Sequence, residues 1–270
     1  MNPVRNKLPE ATAAPLVWIS NGVKSFFIAL QFLTRLPVGE YPEDEKRLGR
    51  SMAYFPIVGL ILGGILVLVN WGFSIFLTPL VADVLTIIAL VILTGALHID
   101  GFVDTVDGFA GGKTKEEILR IMRDSRVGAF GIIGIVSLIM LKLVLLHEMP
   151  LEIKRGALLL FPVMGRWAMV VASSLSLYAR KKGTGKAFLD YCGRKELIVA
   201  SLITLIIARG FLKILGLELF LFILALTLLL TRFISKRVGG MTGDTLGAVN
   251  EIIEVGALFI LFLLFNLAKG

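Results

Sequence analysis

The chain has 270 residues, 56% of them hydrophobic, with a mean hydropathy of +0.86 and a formal net charge of +8. A soluble domain is usually about 45–50% apolar and breaks its apolar segments with charge far more often, so this composition excludes a water-soluble globular protein. The single cysteine, Cys192, excludes an intrachain disulfide and a thiolate-built metal site. The positive charge, which would suggest nucleic acid in a soluble protein, is topology information here, and no nucleic-acid partner is expected.

In chain order, MNPVRNKLPEATAAPLVWIS holds no apolar core ahead of its Ala-rich segment and does not read as a cleavable signal peptide. Residues 18–36 carry Lys24, Gln31 and Arg35 among apolar residues and predict an interfacial or partly inserted amphipathic helix. Seven apolar runs follow, at 54–77, 80–98, 128–146, 156–179, 197–213, 217–234 and 251–268. Each approaches the roughly 20 helical residues that cross a bilayer core. The fold expected is all-α, a single polytopic membrane domain over 1–270, with short linkers at 77–80 and 213–217 making antiparallel hairpins. Loops 36–53, 98–127, 180–196 and 232–249 together hold 17 Lys and Arg, against 5 in 147–155, 209–216 and the tail after 267. By the positive-inside rule the four rich loops are cytoplasmic and the C-terminus lies outside.

The segment LHIDGFVDTVDGFAGG sets Asp100, Asp104 and Asp107 at i, i+4 and i+7, on one face of a helix, directly after an apolar run. Carboxylates stacked this way raise one another's pKa unless a cation offsets them. An all-oxygen donor set suits Mg²⁺ or Mn²⁺. A second cluster, GGMTGDTLGAVNEIIEVG, brings Asp244, Glu251 and Glu254, with Thr242 or Asp244 as the helix cap. Between them KTKEEILRIMRDSRVGAFG offers Lys113, Lys115, Arg120, Arg123 and Arg126 with Asp124. Metal on one side of a pyrophosphate and guanidinium on the other is what phosphoryl transfer needs. A solvated acidic loop and ordinary positive-inside charge are the plainer readings of the same residues. Arg166 lies inside an apolar run, where a charge needs an acid, a ligand or water. Lys142 also lies inside one, nearer the outer edge, where snorkelling accounts for it. His98 adjoins the first Asp and is a base or ligand in reach, though an interfacial histidine is the more common case. His147, on the poorly charged side, reads as incidental. GTGKAF at 183–188 is only a fragment of a phosphate loop, though its Lys186 can meet a phosphate.

Taken together, HIDGFVDTVDG, DSRVGAFG and GGMTGDTLGAVNEIIE, with FLTRLPV at 32–38 and YFPIVGLILG at 54–63, closely resemble the cobalamin synthase (adenosylcobinamide-GDP ribazoletransferase) family. The resemblance implies an Mg²⁺-dependent enzyme of the bacterial inner membrane. It would join adenosylcobinamide-GDP to α-ribazole or its 5′-phosphate and release GMP. It leaves room for a homo-oligomer and for association with other late cobalamin-assembly enzymes. The expected metal ligands are Asp100, Asp104, Asp107, Asp244 and Glu251. Catalysis would fall to Asp104, Asp107, His98, Arg126 and Arg166, with Asp107 or His98 taking the hydroxyl proton. Substrate would be held by Arg35, Lys113, Arg120, Arg123 and Lys186. Two rivals stand beside this. A CDP-alcohol phosphotransferase keeps its acids in one segment, whereas here Asp104 and Asp244 are 140 residues apart. A cation-coupled transporter would place its charges at the membrane midplane rather than at the cytoplasmic rim.

Overall fold

The computed structural model describes residues 13–38, 44–183 and 185–269, with side chains from residue 22 onward. The signal-peptide reading concerns residues largely outside that range. The described residues are helical and contain no strand beyond one isolated bridge. The chain runs through α1 (Ala13–Leu33), α2 (Glu45–Ser51), a short 3₁₀ turn, α3 (Phe55–Ser74), α4 (Pro79–Thr94), α5 (Leu97–Gly111) and α6 (Lys115–Ile121). It continues through α7 (Ala129–His147), α8 (Leu151–Ser174), α9 (Lys186–Tyr191), α10 (Arg194–Val238) and α11 (Gly243–Lys269).

Among the described residues, five helical stretches are long and apolar enough to cross a membrane, and α4 makes a sixth when joined to α5. α10 has 45 residues, which would reach about 68 Å if straight, twice a bilayer core. It is not straight. Lys213 leaves helical geometry (φ 51°, ψ −123°), and a Cβ on Gly216 would sit 2.0 Å from the Ala208 carbonyl oxygen, eight residues back. Trp167 confirms the reversal: its indole donates to Ser201 at 2.9 Å and stacks on Phe220 at 4.2 Å, touching both halves. α10 is therefore a hairpin that supplies both spans expected at 197–213 and 217–234.

α8 is the axis of the bundle. Every residue from Leu160 to Ser173 is buried, the pattern of a helix enclosed on all sides. α3 seats on it through Gly59 and Gly63, whose added Cβ atoms would lie 2.6–2.7 Å from α8 backbone, the small-xxx-small approach of membrane helices. The perimeter is apolar instead: α7 exposes Phe130, Ile133, Val136 and Met140, and α10 exposes Leu202, Ile206, Phe222 and Leu229. So large an exposed apolar belt is a lipid-facing surface, and the protein is multi-pass. Within α1, the described apolar part Gly22–Leu33 is too short to span. It buries Ile28, Ala29, Leu30 and Leu33 against the bundle instead.

The second expected span stops early. Gly95 and Ala96 both adopt the left-handed conformation (φ 60° and 58°), closing α4 with bonds from their N–H groups to Ile92 and Val91. α5 leaves at 92° to α4. It does not continue across the membrane but lies over one end of the bundle, packed on α11 and α7.

Candidate active site

Two glycines set the contact between α5 and α11. A Cβ on Gly101 would lie 2.7 Å from the Asp244 carbonyl oxygen, and one on Gly247 would lie 3.0 Å from that of His98. Only glycine allows backbones this close. The approach brings the first turn of α11 beside Asp100 and Asp104. Thr242, not Asp244, caps α11: the Thr245 N–H donates to its Oγ1 at 3.2 Å. The Asp244 carboxylate is thereby left for another partner. That partner is Arg180, paired at 2.8 Å without hydrogen-bond alignment, so Asp244 Oδ2 is buried and accepts no hydrogen bond. A two-residue parallel bridge delivers Arg180: the Ala179 N–H donates to Met241, and the Met241 N–H to Leu177, each at 2.8 Å.

Arg180 thus faces both Asp244 and Asp104. The Asp104 carboxyl is pushed up to about 6, first by burial and then by the charges of Asp100 and Asp244, with Arg180 opposing them. Beside this group opens a cavity of about 170 Å³, lined by Asp100, Asp244, His98, Phe32, Met169 and Phe188 among others. His98 is buried, and both of its ring nitrogens lack a partner. Burial, then the positive charges of Arg166 and Lys142, holds its pKa well below the usual histidine value.

With this geometry in hand, relatives are informative. Residues 25–262 match the family described as cobalamin-5-phosphate synthase. A protein of Desulforamulus reducens named adenosylcobinamide-GDP ribazoletransferase is 40% identical over 239 residues, covering 88% of this chain and 96% of its own. Proteins of the same name in Acetivibrio thermocellus and Thermoanaerobacter pseudethanolicus are 38% and 40% identical, covering 90% and 87% of this chain and 99% and 96% of their own. The chain belongs to the cobalamin-5-phosphate synthase family. No solved structure matches it.

The remaining residues singled out in the sequence lie outside this group. Asp107 is on the same face of α5 as the other acids but serves a different neighbour: its two oxygens accept from the N–H groups of Gly128 and Gly131 at 2.7 and 2.8 Å. It anchors the N-terminus of α7. Arg120, Arg123 and Arg126 are exposed. Arg126 forks onto Asp124 at 2.7 and 3.0 Å, which holds that carboxyl down at about 2, while Arg123 is near enough to influence Tyr178 at the rim of the acid site. Lys113 is exposed at the start of the α6 capping turn, and Lys186 opens α9, 3.6 Å from Asp190. Arg35 packs on Gly95, where a Cβ would fall 2.1 Å from its Nε, bracing the α4–α5 bend.

Glu251 and Arg166 are elsewhere. Seven residues past Asp244, Glu251 lies about 10 Å deeper along α11 and does not join the acids. It bonds Lys142 at 2.8 Å, Lys142 bonds Glu254 at 2.6 Å, and Arg166 also bonds Glu254. Asn250 donates to both glutamates at 3.2 Å. This is a correction to the reading of Lys142: it does not snorkel outward but is buried, because two carboxylates await it inside. A closed, charge-balanced cluster sits well inside the bundle.

The sequence reading missed Arg180 and a second buried knot at the opposite end. Asp83 there accepts from Lys154 at 2.8 Å and from Asn70 at 2.9 Å and contacts His147 at 3.0 Å, so His147 is not incidental. Loop 180–196 is one of the Lys- and Arg-rich loops, but only the long-range bridge selects which of its cations meets Asp244. As to a metal, no three Asp, Glu, His or Cys side chains among the described residues enclose a common point. Mg²⁺ seldom asks for that: it keeps waters and binds one or two carboxylates plus substrate phosphates. Asp100, Asp104 and Asp244, with the raised Asp104 and the unbonded Asp244 oxygen, fit that kind of site.

Proposed function

We propose that this chain is an adenosylcobinamide-GDP ribazoletransferase of the bacterial inner membrane, with the α5–α11 acid site on the cytoplasmic face. The ends of α4, α8 and α11 that meet at this site are flanked by the Lys- and Arg-rich loops, which supports that side. The single observation that carries the reaction is the Asp100, Asp104 and Asp244 group beside a cavity, in a chain of this family. Asp100 and Asp244 would hold Mg²⁺, which when bound supplies neutralisation of the pyrophosphate. Arg180, with Arg123 at the rim, offsets charge on the leaving nucleotide. The ribazole 3′-hydroxyl oxygen bonds to the phosphorus nearer the cobinamide, and the bond from that phosphorus to the bridging oxygen breaks, releasing GMP. Asp104, held near pH 6, takes the hydroxyl proton, since Asp107 is committed to α7. Positioning and electrostatics provide most of the acceleration.

The deciding experiment measures GMP release by the purified protein in lipid with adenosylcobinamide-GDP, α-ribazole and Mg²⁺. Ribazole-dependent GMP from the wild type, and its loss without Mg²⁺, is the expected result. A folded wild type that releases none defeats the proposal. The cation-coupled transporter gains nothing from the deep charged cluster, whose adjoining space is only about 10 Å³ and whose two cations are matched by two glutamates.

A further inference from the structure

Resting on the function proposed above, we infer that the cavity between α1, α5, α9 and α11 is the subsite for the heteroaromatic base of ribazole, with His98 as its hydrogen-bonding partner. Three observations lead there. The cavity measures about 170 Å³. An apolar cavity of about 150 Å³ holds one benzene, so this one suits a small aromatic ring system and is far too small for a corrin macrocycle.

Its lining joins two kinds of side chain: the carboxylates of Asp100 and Asp244, and the apolar Phe32, Met169, Phe188 and Leu246. The aromatic wall is rigid: the Phe32 and Phe188 rings meet edge to face at 4.7 Å, and Phe188 meets Phe55 at 5.8 Å. Packed aromatic rings and carboxylates lining one cavity suit a nucleoside, base against the rings and ribose hydroxyls toward the acids.

The third observation is His98. It lines the cavity, is 2% exposed, and neither ring nitrogen has a partner in the protein. A buried polar group left so is costly, and a partner is expected to arrive. In either tautomer the ring presents an N–H. The benzimidazole of ribazole carries one unsubstituted ring nitrogen, an acceptor with no donor beside it. Among the lining side chains His98 is the one hydrogen-bond donor, and it matches that base.

The test uses the full chain in nanodiscs, with both substrates varied, in wild type, His98→Leu, His98→Gln and Phe188→Leu. The expected result for His98→Leu is a KM for α-ribazole raised about tenfold or more, with kcat within about threefold and the KM for adenosylcobinamide-GDP unmoved. His98→Gln, which keeps an N–H, recovers part of the loss. Phe188→Leu raises the same KM. An indole riboside, in which a C–H replaces the acceptor nitrogen, should be handled alike by wild type and His98→Leu. A fall in kcat with KM unchanged would make His98 a proton carrier and overturn the subsite. So would a shift in the KM for adenosylcobinamide-GDP, which would put the nucleotide base in the cavity, or no change at all. Equilibrium dialysis of labelled α-ribazole separates the two levels of argument. If the wild type makes no GMP the functional reading falls, while saturable ribazole binding lost in His98→Leu would still establish the subsite, and no binding would remove it.

Discussion

Two groups of carboxylates occupy α5 and α11, about 10 Å apart in depth, and they are built on opposite plans. At the end of the bundle, Asp100, Asp104 and Asp244 gather near Arg180, which pairs with Asp244, and Asp100 and Asp244 line a cavity. Deeper in, Glu251 and Glu254 are matched in number by Lys142 and Arg166, with Asn250 donating to both glutamates. Identical chemistry thus yields an unsatisfied site in one place and a closed joint in the other. Surplus negative charge beside open space is an invitation to a ligand, whereas neutralised charge without space is architecture.

The comparison can be broken by substitutions that remove charge from each group. Asp104→Asn should cut turnover by about 10²–10⁴-fold, read as GMP release, while leaving the melting temperature unchanged or slightly raised, because it removes repulsion. A large loss of stability in that variant would mean the acids are structural. Glu254→Gln should do the reverse. It leaves Arg166 and part of Lys142 uncompensated in the bundle, which costs about 3–5 kcal/mol, seen as a lower melting temperature and poorer yield in detergent. Turnover per folded molecule should stay within a few-fold; a collapse in turnover with normal stability would draw the deep cluster into the chemistry.

The third prediction sharpens the contrast through pH. Asp104 has a folded-state pKa of about 6 against an ordinary value of 3.8, so between these values the folded chain holds a proton that the unfolded chain has released. Stability of the metal-free protein should therefore fall as pH rises through that window. A Mg²⁺ ion held by Asp100 and Asp244 beside it would favour the ionised Asp104 carboxylate, so Mg²⁺ should raise the melting temperature more at pH 7.5 than at pH 5. A Mg²⁺ shift independent of pH would count against the acids as its site. The smallest effect is expected from Asp107→Asn, which weakens two bonds to the start of α7 and should cost about 1–2 kcal/mol in a thermal melt, with modest loss of activity.

Much of this was legible beforehand because it is local. The i, i+4, i+7 spacing of Asp100, Asp104 and Asp107 does form one helical face, and the apolar runs do become helices, since hydrophobic length is nearly sufficient to specify a span. What periodicity cannot carry is direction and partner. Lys142 near a span end reads as a snorkelling residue until Glu251 and Glu254, more than 100 residues later, turn out to face it. Glu251 looks like a companion to Asp244 on the helical wheel, yet two further turns take it out of reach. Arg180 is one of several cations in a basic run, and a bridge between residues 178 and 241 selects it. The α4–α5 bend left one trace, Gly95 at the end of an apolar run, the ordinary residue for a left-handed helix cap.

The deep joint also constrains how the molecule comes to be made. Lys142 and Arg166 leave the ribosome on α7 and α8, and the acids that neutralise them follow on α11, 109, 112 and 88 residues later along the pairs they form. Until α11 is threaded in, two cations have no carboxylate to meet within the bilayer. α8, which presents no face to lipid in the finished bundle, is then a poor candidate for independent insertion. The arrangement makes the last helix a lock on the earlier ones: biosynthesis is completed by α11, and a nascent chain halted before Gly243 carries its own signal of incompleteness in the form of unpaired positive charge.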